Sequence, residues 1–185
     1  MKSLQGRLLI AAQSLSDPNF ERTVVLIAAH GEEGALGLIL NRDMDLPLTE
    51  IWERVSQTPC VRGELVKHGG PVAGTLMAIH ERRDLANIVV TDELFVATEL
   101  NAFEELAAME TGRVLFYVGH SGWGPGQLES EIEDGAWLDF PATPDDVFGQ
   151  TDPLALWKKV LTQVGRQQVF SLFDIKHVPG EPREN

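Results

Sequence analysis

The residues with the clearest chemical potential lie in a glycine-rich segment, 119–127, with the sequence Gly-His-Ser-Gly-Trp-Gly-Pro-Gly-Gln. It follows a predicted strand and precedes a predicted helix, a place where free backbone N–H groups often bind anions. The spacing matches neither the phosphate-binding loop, which requires Gly-Lys-Ser/Thr, nor the dinucleotide-binding loop, whose last glycine is replaced by Glu129. Four carboxylates on the following helix would also oppose a bound phosphate. We therefore favour a tight turn around a buried Trp123 over an anion-binding loop.

The same segment invites comparison with the nucleophile elbow of serine hydrolases. That motif places a glycine two residues before and two residues after the serine, but Trp123 occupies the second glycine position after Ser121. The only later histidine that could act as a base is His177, close to the chain end. A hydrolase or metal-dependent enzyme that uses His120, Ser121, His30 or Glu129 remains an alternative hypothesis.

The histidines and the single cysteine give no metal-binding motif. No His-x-His or His-Glu-x-x-His pair is present, so folding would have to assemble a metal site from isolated residues. A lone histidine near a strand end more often forms a structural hydrogen bond. One cysteine excludes an intrachain disulfide and a thiolate metal cluster. We expect no metal or cofactor. The residues concerned are His30, His68, His80, His120 and Cys60.

Asn41 and Arg42 form a second candidate, at the end of the third predicted strand. An arginine at a strand exit provides local positive charge where binding sites tend to collect. The alternative is a solvated arginine in a turn, and the sequence does not separate the two.

The charge balance limits the classes of partner that the protein can bind. The chain has 15 Lys and Arg against 28 Asp and Glu, a formal net charge of -13. Such a field repels nucleic acid and anionic membranes, and the only basic pair on a predicted helix is Lys158-Lys159. It favours a basic protein partner captured by electrostatic attraction. With no signal peptide and no apolar run near ~18 residues, we expect a cytoplasmic protein.

Hydrophobic patterning predicts one mixed α+β domain over residues 1–178, followed by a frayed tail over 179–185. Near-continuous apolar runs predict strands buried on both faces, the second and third forming a hairpin. Capping signals at Thr49, Asn101 and Asp152 mark three of four predicted helices. The predicted strands are 8–12, 23–29, 35–40, 66–70, 75–80, 87–90, 94–97, 114–118 and 136–140, and the helices are 48–55, 101–112, 127–134 and 152–164.

Several blocks of sequence together resemble the YqgE/AlgH family of bacterial proteins. The most specific is Gly-Trp-Gly-Pro-Gly-Gln-Leu-Glu at residues 122–129, and the others are Gly-Ala-Leu-Gly-Leu-Ile-Leu-Asn-Arg at 34–42, Gly-Gly-Pro-Val at 69–72 and Gly-Ala-Trp at 135–137. The resemblance implies an α+β fold with a strongly bent, partly barrel-like mixed β-sheet flanked by helices. It brings no catalytic residues, and most members have no established activity. Some members are described as transcriptional regulators.

The leading hypothesis is a non-enzymatic protein that binds a protein partner or a small ligand. An alternative is a transcriptional regulator that acts indirectly, without direct DNA contact. The predicted binding surface combines the glycine-rich segment and the start of the next helix with two neighbouring turns. Its candidate residues are Asn41, Arg42, Gly69, Gly70, Pro71, His120, Gly122, Trp123, Gly124, Gln127 and Glu129.

Overall fold

The computed structural model describes residues 3–149 and 152–172 of the chain. The strands in this part are β1 (Arg7–Ala11), β2 (Val24–Gly31), β3 (Gly34–Ile39), β4 (Asp43–Pro47), β5 (Leu65–His68), β6 (Val72–His80), β7 (Ile88–Val89), β8 (Phe95–Ala97), β9 (Val114–Trp123) and β10 (Trp137–Pro141). The helices are α1 (Leu48–Val55), α2 (Leu100–Ala107), α3 (Gln127–Glu133), α4 (Pro144–Phe148) and α5 (Pro153–Leu172), and Arg83–Leu85 forms a single 3-10 turn.

The strands form one large, mainly antiparallel sheet in the order β10-β1-β2-β3-β9-β6-β8-β7. β5 lies off this path, parallel to β9 and antiparallel to β4. The sheet bends so far that the side chain of Gln5, which precedes β1, donates to the carbonyl of Val89 in the edge strand β7 (2.6 Å). The sheet remains open. The predicted mixed α+β fold is therefore confirmed.

The ten-residue strand β9 joins the two parts of the sheet. Its last three residues pair with β3, and its earlier residues pair with β6 along most of their length. Side chains of successive strand residues point to opposite faces, so the apolar runs of β1 and β2 supply two separate cores. One core contains Leu8, Ile10 and the helix α5, and the other contains Leu9, Trp123 and α3.

A third core lies under α1 and α2. Trp52 of α1 and Phe103 of α2 both contact Phe116 of β9 edge-on, with ring centroids 6.4 Å apart in each pair. Helices of only eight residues are marginal by themselves, so burial of this apolar face stabilises them. No helix in the described part of the chain is both long and apolar enough to span a bilayer.

The glycine-rich segment differs from its prediction. We expected a loop over residues 120–126, but β9 continues to Trp123 and only the turn Gly124–Gly126 separates it from α3. Glycine weakens a strand in general, but here the neighbouring backbone requires it. A Cβ added at Gly119 of β9 would lie 2.8 Å from the carbonyl oxygen of Gly70, and one added at Gly69 would lie 2.1 Å from the carbonyl oxygen of Gly119, because the chain at Gly69 and Gly70 passes directly against β9.

Several helix boundaries also differ. α1 and α2 begin after Pro47 and Glu99 without a side-chain cap, so the predicted caps at Thr49 and Asn101 were wrong. α2 ends at Ala107 rather than at Gly112. The cap at Asp152 is confirmed by its bond to the backbone N–H of Leu154 (2.9 Å).

The remaining differences concern elements whose stability depends on distant contacts. α5 continues past Gly165 to Leu172, and the sequence analysis missed β4 and α4. The predicted domain end at residue 178 and the tail 179–185 lie outside the described residues.

Candidate functional site

Trp123 is the centre of an aromatic cluster at the end of β9. It is only 5% exposed and stacks on Phe20, with ring centroids 5.9 Å apart. Trp137 of β10 meets both rings edge-on, at 6.1 Å from Trp123 and 5.4 Å from Phe20. The burial of Trp123 agrees with the interpretation that the glycines form a turn around this side chain. The contact of Phe20 with the two tryptophans was not predictable from its position in the sequence.

Glu131 of α3 closes this cluster. Its Oε2 atom accepts hydrogen bonds from Nε1 of Trp123 (3.0 Å) and from Nε1 of Trp137 (2.8 Å). Its Oε1 atom accepts from Nε2 of Gln127 (2.9 Å), whose own carbonyl oxygen accepts from the backbone N–H of Gly124 (3.0 Å). The carboxylate therefore holds the turn, the helix and both indoles together.

Glu129, one of the candidate binding residues, also bonds inside the protein. Its Oε1 atom lies 2.9 Å from Nε2 of His30, whose side chain is 1% exposed. Nδ1 of His30 accepts the backbone N–H of Leu4 (2.9 Å), so the ring proton is on Nε2 and points to Glu129. This pair fastens α3 to the end of β2 and to the chain before β1.

The turn Gly69–Pro71 lies beside β9. The sequence analysis placed this turn next to the glycine-rich segment, and the two are neighbours in the structure. The backbone N–H of Gly69 donates to the carbonyl of Val118 (2.9 Å), and the buried hydroxyl of Ser121 donates to the carbonyl of Gly69 (3.3 Å). Gly70 has a positive φ of 150°, and an added Cβ would lie 2.3 Å from Oγ of Ser121. The serine that resembled a nucleophile therefore packs against backbone.

His120 and Ser121 cannot act as a dyad in this strand, because adjacent strand residues face opposite sides. Ser121 faces the interior, whereas His120 is partly exposed and its Nδ1 atom lies 3.4 Å from Oγ1 of Thr75. Gly122 is exposed, and the half-exposed Val72 lies over it, 3.9 Å from an ideal Cβ position.

Asn41 is buried and connects three segments. Its Oδ1 atom accepts the backbone N–H of Val24 (2.8 Å), and its Nδ2 atom donates to the carbonyls of Arg22 (2.9 Å) and Pro153 (3.0 Å). The side chain therefore ties β2 and the turn before it to the first turn of α5. Asn41 has a structural role and is not free to bind a ligand with these atoms.

Arg42, its neighbour, lies in an open groove of about 450 Å³ between that turn and α5. Its guanidinium donates to the backbone carbonyl of Glu21 (3.0 Å), and the largely exposed Arg22 lines the same groove. Arg22 has a φ of 55°, the only positive φ of a non-glycine among the described residues. Strained backbone of this kind costs roughly 1–3 kcal/mol and is frequent at binding sites.

A surface that sequence analysis did not single out lies over the third core. We call it the α1–α2 face, formed by α1, α2 and the segment 56–61, which follows α1 and lies beside α2. It contains two open grooves of about 390 and 420 Å³, and Val61 on its rim is 54% exposed. The signal in the sequence was indirect: an apolar Pro-Cys-Val run directly after the first of two helices that each carry a pair of glutamates.

Two further candidate histidines, His80 and His68, lie outside the α1–α2 face. His80 is fully buried, and its Nδ1 atom accepts the backbone N–H of Arg82 (3.2 Å). Burial lowers the pKa of His80 to about 4. His68 is exposed, and its backbone N–H donates to the carbonyl of Arg42 (2.8 Å), which brings the Asn41-Arg42 turn next to the Gly69–Pro71 turn. Within residues 3–149 and 152–172, no three metal-binding side chains come together.

Comparison with known proteins gives close relatives over most of the chain. The profile of a family described as AlgH-like, DUF179, matches residues 8–168. A UPF0301 protein of Ruegeria pomeroyi is 37% identical over 170 residues, which cover 88% of this chain and 92% of that protein. A UPF0301 protein of Streptomyces coelicolor is 38% identical over 197 residues, with 100% of this chain and 97% of that protein covered.

Two solved structures are also similar to this chain over most of its length. The solution structure of the AlgH protein of Pseudomonas aeruginosa matches with a TM-score of 0.72 and 30% identity over 97% of both chains. The crystal structure of a Corynebacterium diphtheriae protein matches with a TM-score of 0.71 and 26% identity over 88% of this chain and 87% of the other.

Proposed function

The chain belongs to the AlgH-like family. Because several of the side chains that could react, His30, Ser121 and Glu129 among them, are bonded internally, we propose that it acts by binding a basic partner protein rather than by catalysis. The internal bonds are the observation that carries this proposal. The imidazole of His30, the hydroxyl of Ser121 and the carboxylate of Glu131 each fix one part of the fold to another. The side chains of His30 and Ser121 are also almost completely buried, so a substrate cannot come within the hydrogen-bond distance that proton transfer requires.

The distribution of charge supports a basic partner. Eight ion pairs with Lys or Arg occur among the described residues and each uses a different carboxylate, so most of the acidic side chains in that part of the chain have no cationic partner. Exposed charges of one sign raise the rate of association with an oppositely charged protein. Salt screens this attraction, so the rate enhancement decreases as the salt concentration increases.

The test is capture from a lysate of the source organism on immobilised protein at about 50 mM and about 500 mM NaCl, where screening differs strongly. Proteins bound specifically should be basic, should elute at the higher salt and should be displaced by oligolysine. An unrelated acidic protein of similar net charge is the control for simple ion exchange. Capture of proteins that are not basic, or that persist at high salt, would refute the proposal.

A regulatory role, the alternative suggested by the family resemblance, is proposed to be indirect, through the partner protein. Direct DNA binding would require neutralised phosphates and a steep dependence of affinity on salt. We expect no mobility shift of duplex DNA at about 50 mM salt with micromolar protein. A shift that disappears steeply with salt would favour direct DNA binding instead.

The groove at Arg42 favours a second candidate function, the binding of a small acidic ligand. Asp43 pairs with Lys67 at the side of this groove, and the exposed Arg22 and Glu21 lie 3.4 Å apart at its rim, so Arg42 has no carboxylate partner there. Two guanidinium groups in one groove suit a carboxylate ligand.

Calorimetric titration with citrate tests this candidate. Heat of binding should be seen for the wild type, lost in Arg22→Gln/Arg42→Gln, and retained in Arg54→Gln, which changes an exposed arginine of α1. No heat for the wild type, or equal heats for all three proteins, would exclude a carboxylate site in the groove.

A further inference from the structure

Hydrogen bonds to backbone groups of the segment 56–61 hold it in place on the α1–α2 face. Nε1 of Trp52 donates to the carbonyl of Thr58 (2.7 Å), and the backbone N–H of Val61 donates to the carbonyl of Ala107 at the end of α2 (3.1 Å). Although the backbone of Val61 is fixed in this way, its side chain is 54% exposed. An exposed apolar side chain on a fixed backbone loses little conformational freedom when a partner covers it.

Grooves lie on both sides of Thr58. The groove towards α2 has Pro59 and Val61 on one wall and the α2 residues Glu104 and Glu105 on the other. The groove towards α1 contains the edge of Trp52, together with Glu53 and Cys60. Each groove therefore combines an apolar wall with carboxylates at its rim, an arrangement suited to a side chain with an apolar stem and a cationic end.

Negative charge is concentrated on this face. Six carboxylates lie on α1, α2 and the residues that flank α2, against the single Arg54, and none of the six forms an ion pair with another described residue. They are Glu50, Glu53, Glu99, Glu104, Glu105 and Glu110. On α3, by contrast, Glu129 and Glu131 are bonded internally. The unpaired charge of the α1–α2 face is thus larger than that of the helix after the glycine-rich turn.

We propose that the α1–α2 face binds a basic amphipathic segment of the partner protein, with an apolar side chain against Pro59 and Val61 and cationic side chains along Glu53, Glu104 and Glu105. This inference rests on the proposed function, to which it adds the site and the form of the ligand. An apolar anchor surrounded by charged groups is the usual arrangement of a protein interface. A purely cationic ligand would leave the exposed valine uncovered.

The probe is a labelled Leu/Lys peptide of about 14 residues with leucine at helical spacing, and oligolysine of the same length is the matched ligand without an anchor. Fluorescence anisotropy with the full chain at low salt should give an affinity about tenfold higher for the amphipathic peptide, because one buried aliphatic side chain contributes about that factor. Peptide bound on this face should also slow the reaction of Cys60, the only thiol, with a disulfide reagent.

Three variants locate the site. Val61→Ser should lower the affinity for the amphipathic peptide about fivefold to tenfold and leave that for oligolysine unchanged. The triple variant E53Q/E104Q/E105Q should weaken both ligands about tenfold or more. It keeps the oxygen of residue 104 that accepts from Oγ of Ser56 (2.5 Å). The control E33Q/E133Q/D134N removes three charges on other elements and should change either affinity less than about twofold.

The possible outcomes separate the inference from the proposed function. If both ligands bind equally, Val61→Ser has no effect, or the control variant weakens binding as much as the face variant, the inference is overturned while binding of a basic partner stands. An unchanged reaction rate of Cys60 at saturating peptide also overturns it. If neither ligand binds at low salt, both proposals fail. Thermal unfolding of each variant within about 2 °C of the wild type shows that the fold is intact.

Discussion

Replacement of Glu131 by glutamine is the sharpest test of how the aromatic cluster is held. The two side chains have nearly the same shape, so packing is preserved and only hydrogen bonding changes. Every partner of Glu131 is a donor: two indole N–H groups reach one oxygen and the amide of Gln127 reaches the other. An amide has only one acceptor oxygen. In either orientation the new NH2 group of residue 131 therefore faces a donor.

The expected cost follows from these contacts. Hydrogen bonds to a charged group contribute about 1.5–3 kcal/mol each, and an unsatisfied buried donor costs about 1–3 kcal/mol. Trp123 and Trp137 are 5% and 2% exposed, so water replaces the lost acceptor poorly, whereas the exposed Gln127 can rotate towards solvent. We expect E131Q to lower the free energy of unfolding by about 2.5 kcal/mol, or the melting temperature by about 5–10 °C for a chain of this length.

Urea unfolding followed by tryptophan fluorescence measures this change. Glu133→Gln is the control, since it removes the same charge two residues later on the exposed side of α3 and should change stability by less than about 0.5 kcal/mol. Equal stability of the two variants would refute the assignment of Glu131 as the acceptor that holds both indoles. It would also return Trp123 to consideration as a partner-binding residue.

Three further predictions concern other positions. Asn41→Ala should destabilise the protein by about 2–3 kcal/mol in urea unfolding, because it leaves a buried N–H of β2 without an acceptor, whereas Arg42→Ala should cost less than about 0.5 kcal/mol. Gly69→Ala should cost about 3 kcal/mol or abolish soluble expression because its Cβ would meet backbone, whereas Gly63→Ala, with nothing within 4 Å, should be neutral. Burial lowers the pKa of His80 from 6.5 to about 4, so the unfolded chain binds more protons between these values and stability is lost as the pH falls. Between about pH 7 and pH 5 this loss should be about 2 kcal/mol and should be absent in His80→Gln, and equal pH profiles would contradict it.

Helices and strands whose own residues carry a clear apolar or capping pattern were predicted well from the sequence. The apolar runs of β1, β2 and β3 gave strands within one or two residues of those observed, and Asp152 marked the start of α5. β4, with the sequence Asp-Met-Asp-Leu-Pro, was missed because it has no strand pattern of its own. It pairs with β5 only because the fold brings Asp43 next to Lys67. The end of β9 was missed for a related reason, since Gly119 in this strand accommodates the backbone of Gly70 and Val72, which are about fifty residues away in the chain.

The same distinction applies to the candidate site. Sequence identifies the residue types that can react, but it does not say which of them already have partners. Glu129 and Glu131 count as two negative charges in any sum over the sequence, yet one neutral imidazole and two indoles occupy their oxygens. A net charge of -13 is therefore a poor guide to where a basic partner binds. What matters is the part of that charge without a cationic partner, and on the α1–α2 face six carboxylates without an ion pair to a described residue lie around an exposed apolar side chain. The helix α3 after the glycine-rich turn uses two of its three carboxylates to hold the fold, so the search for a partner-binding surface moves from that helix to the surroundings of Val61.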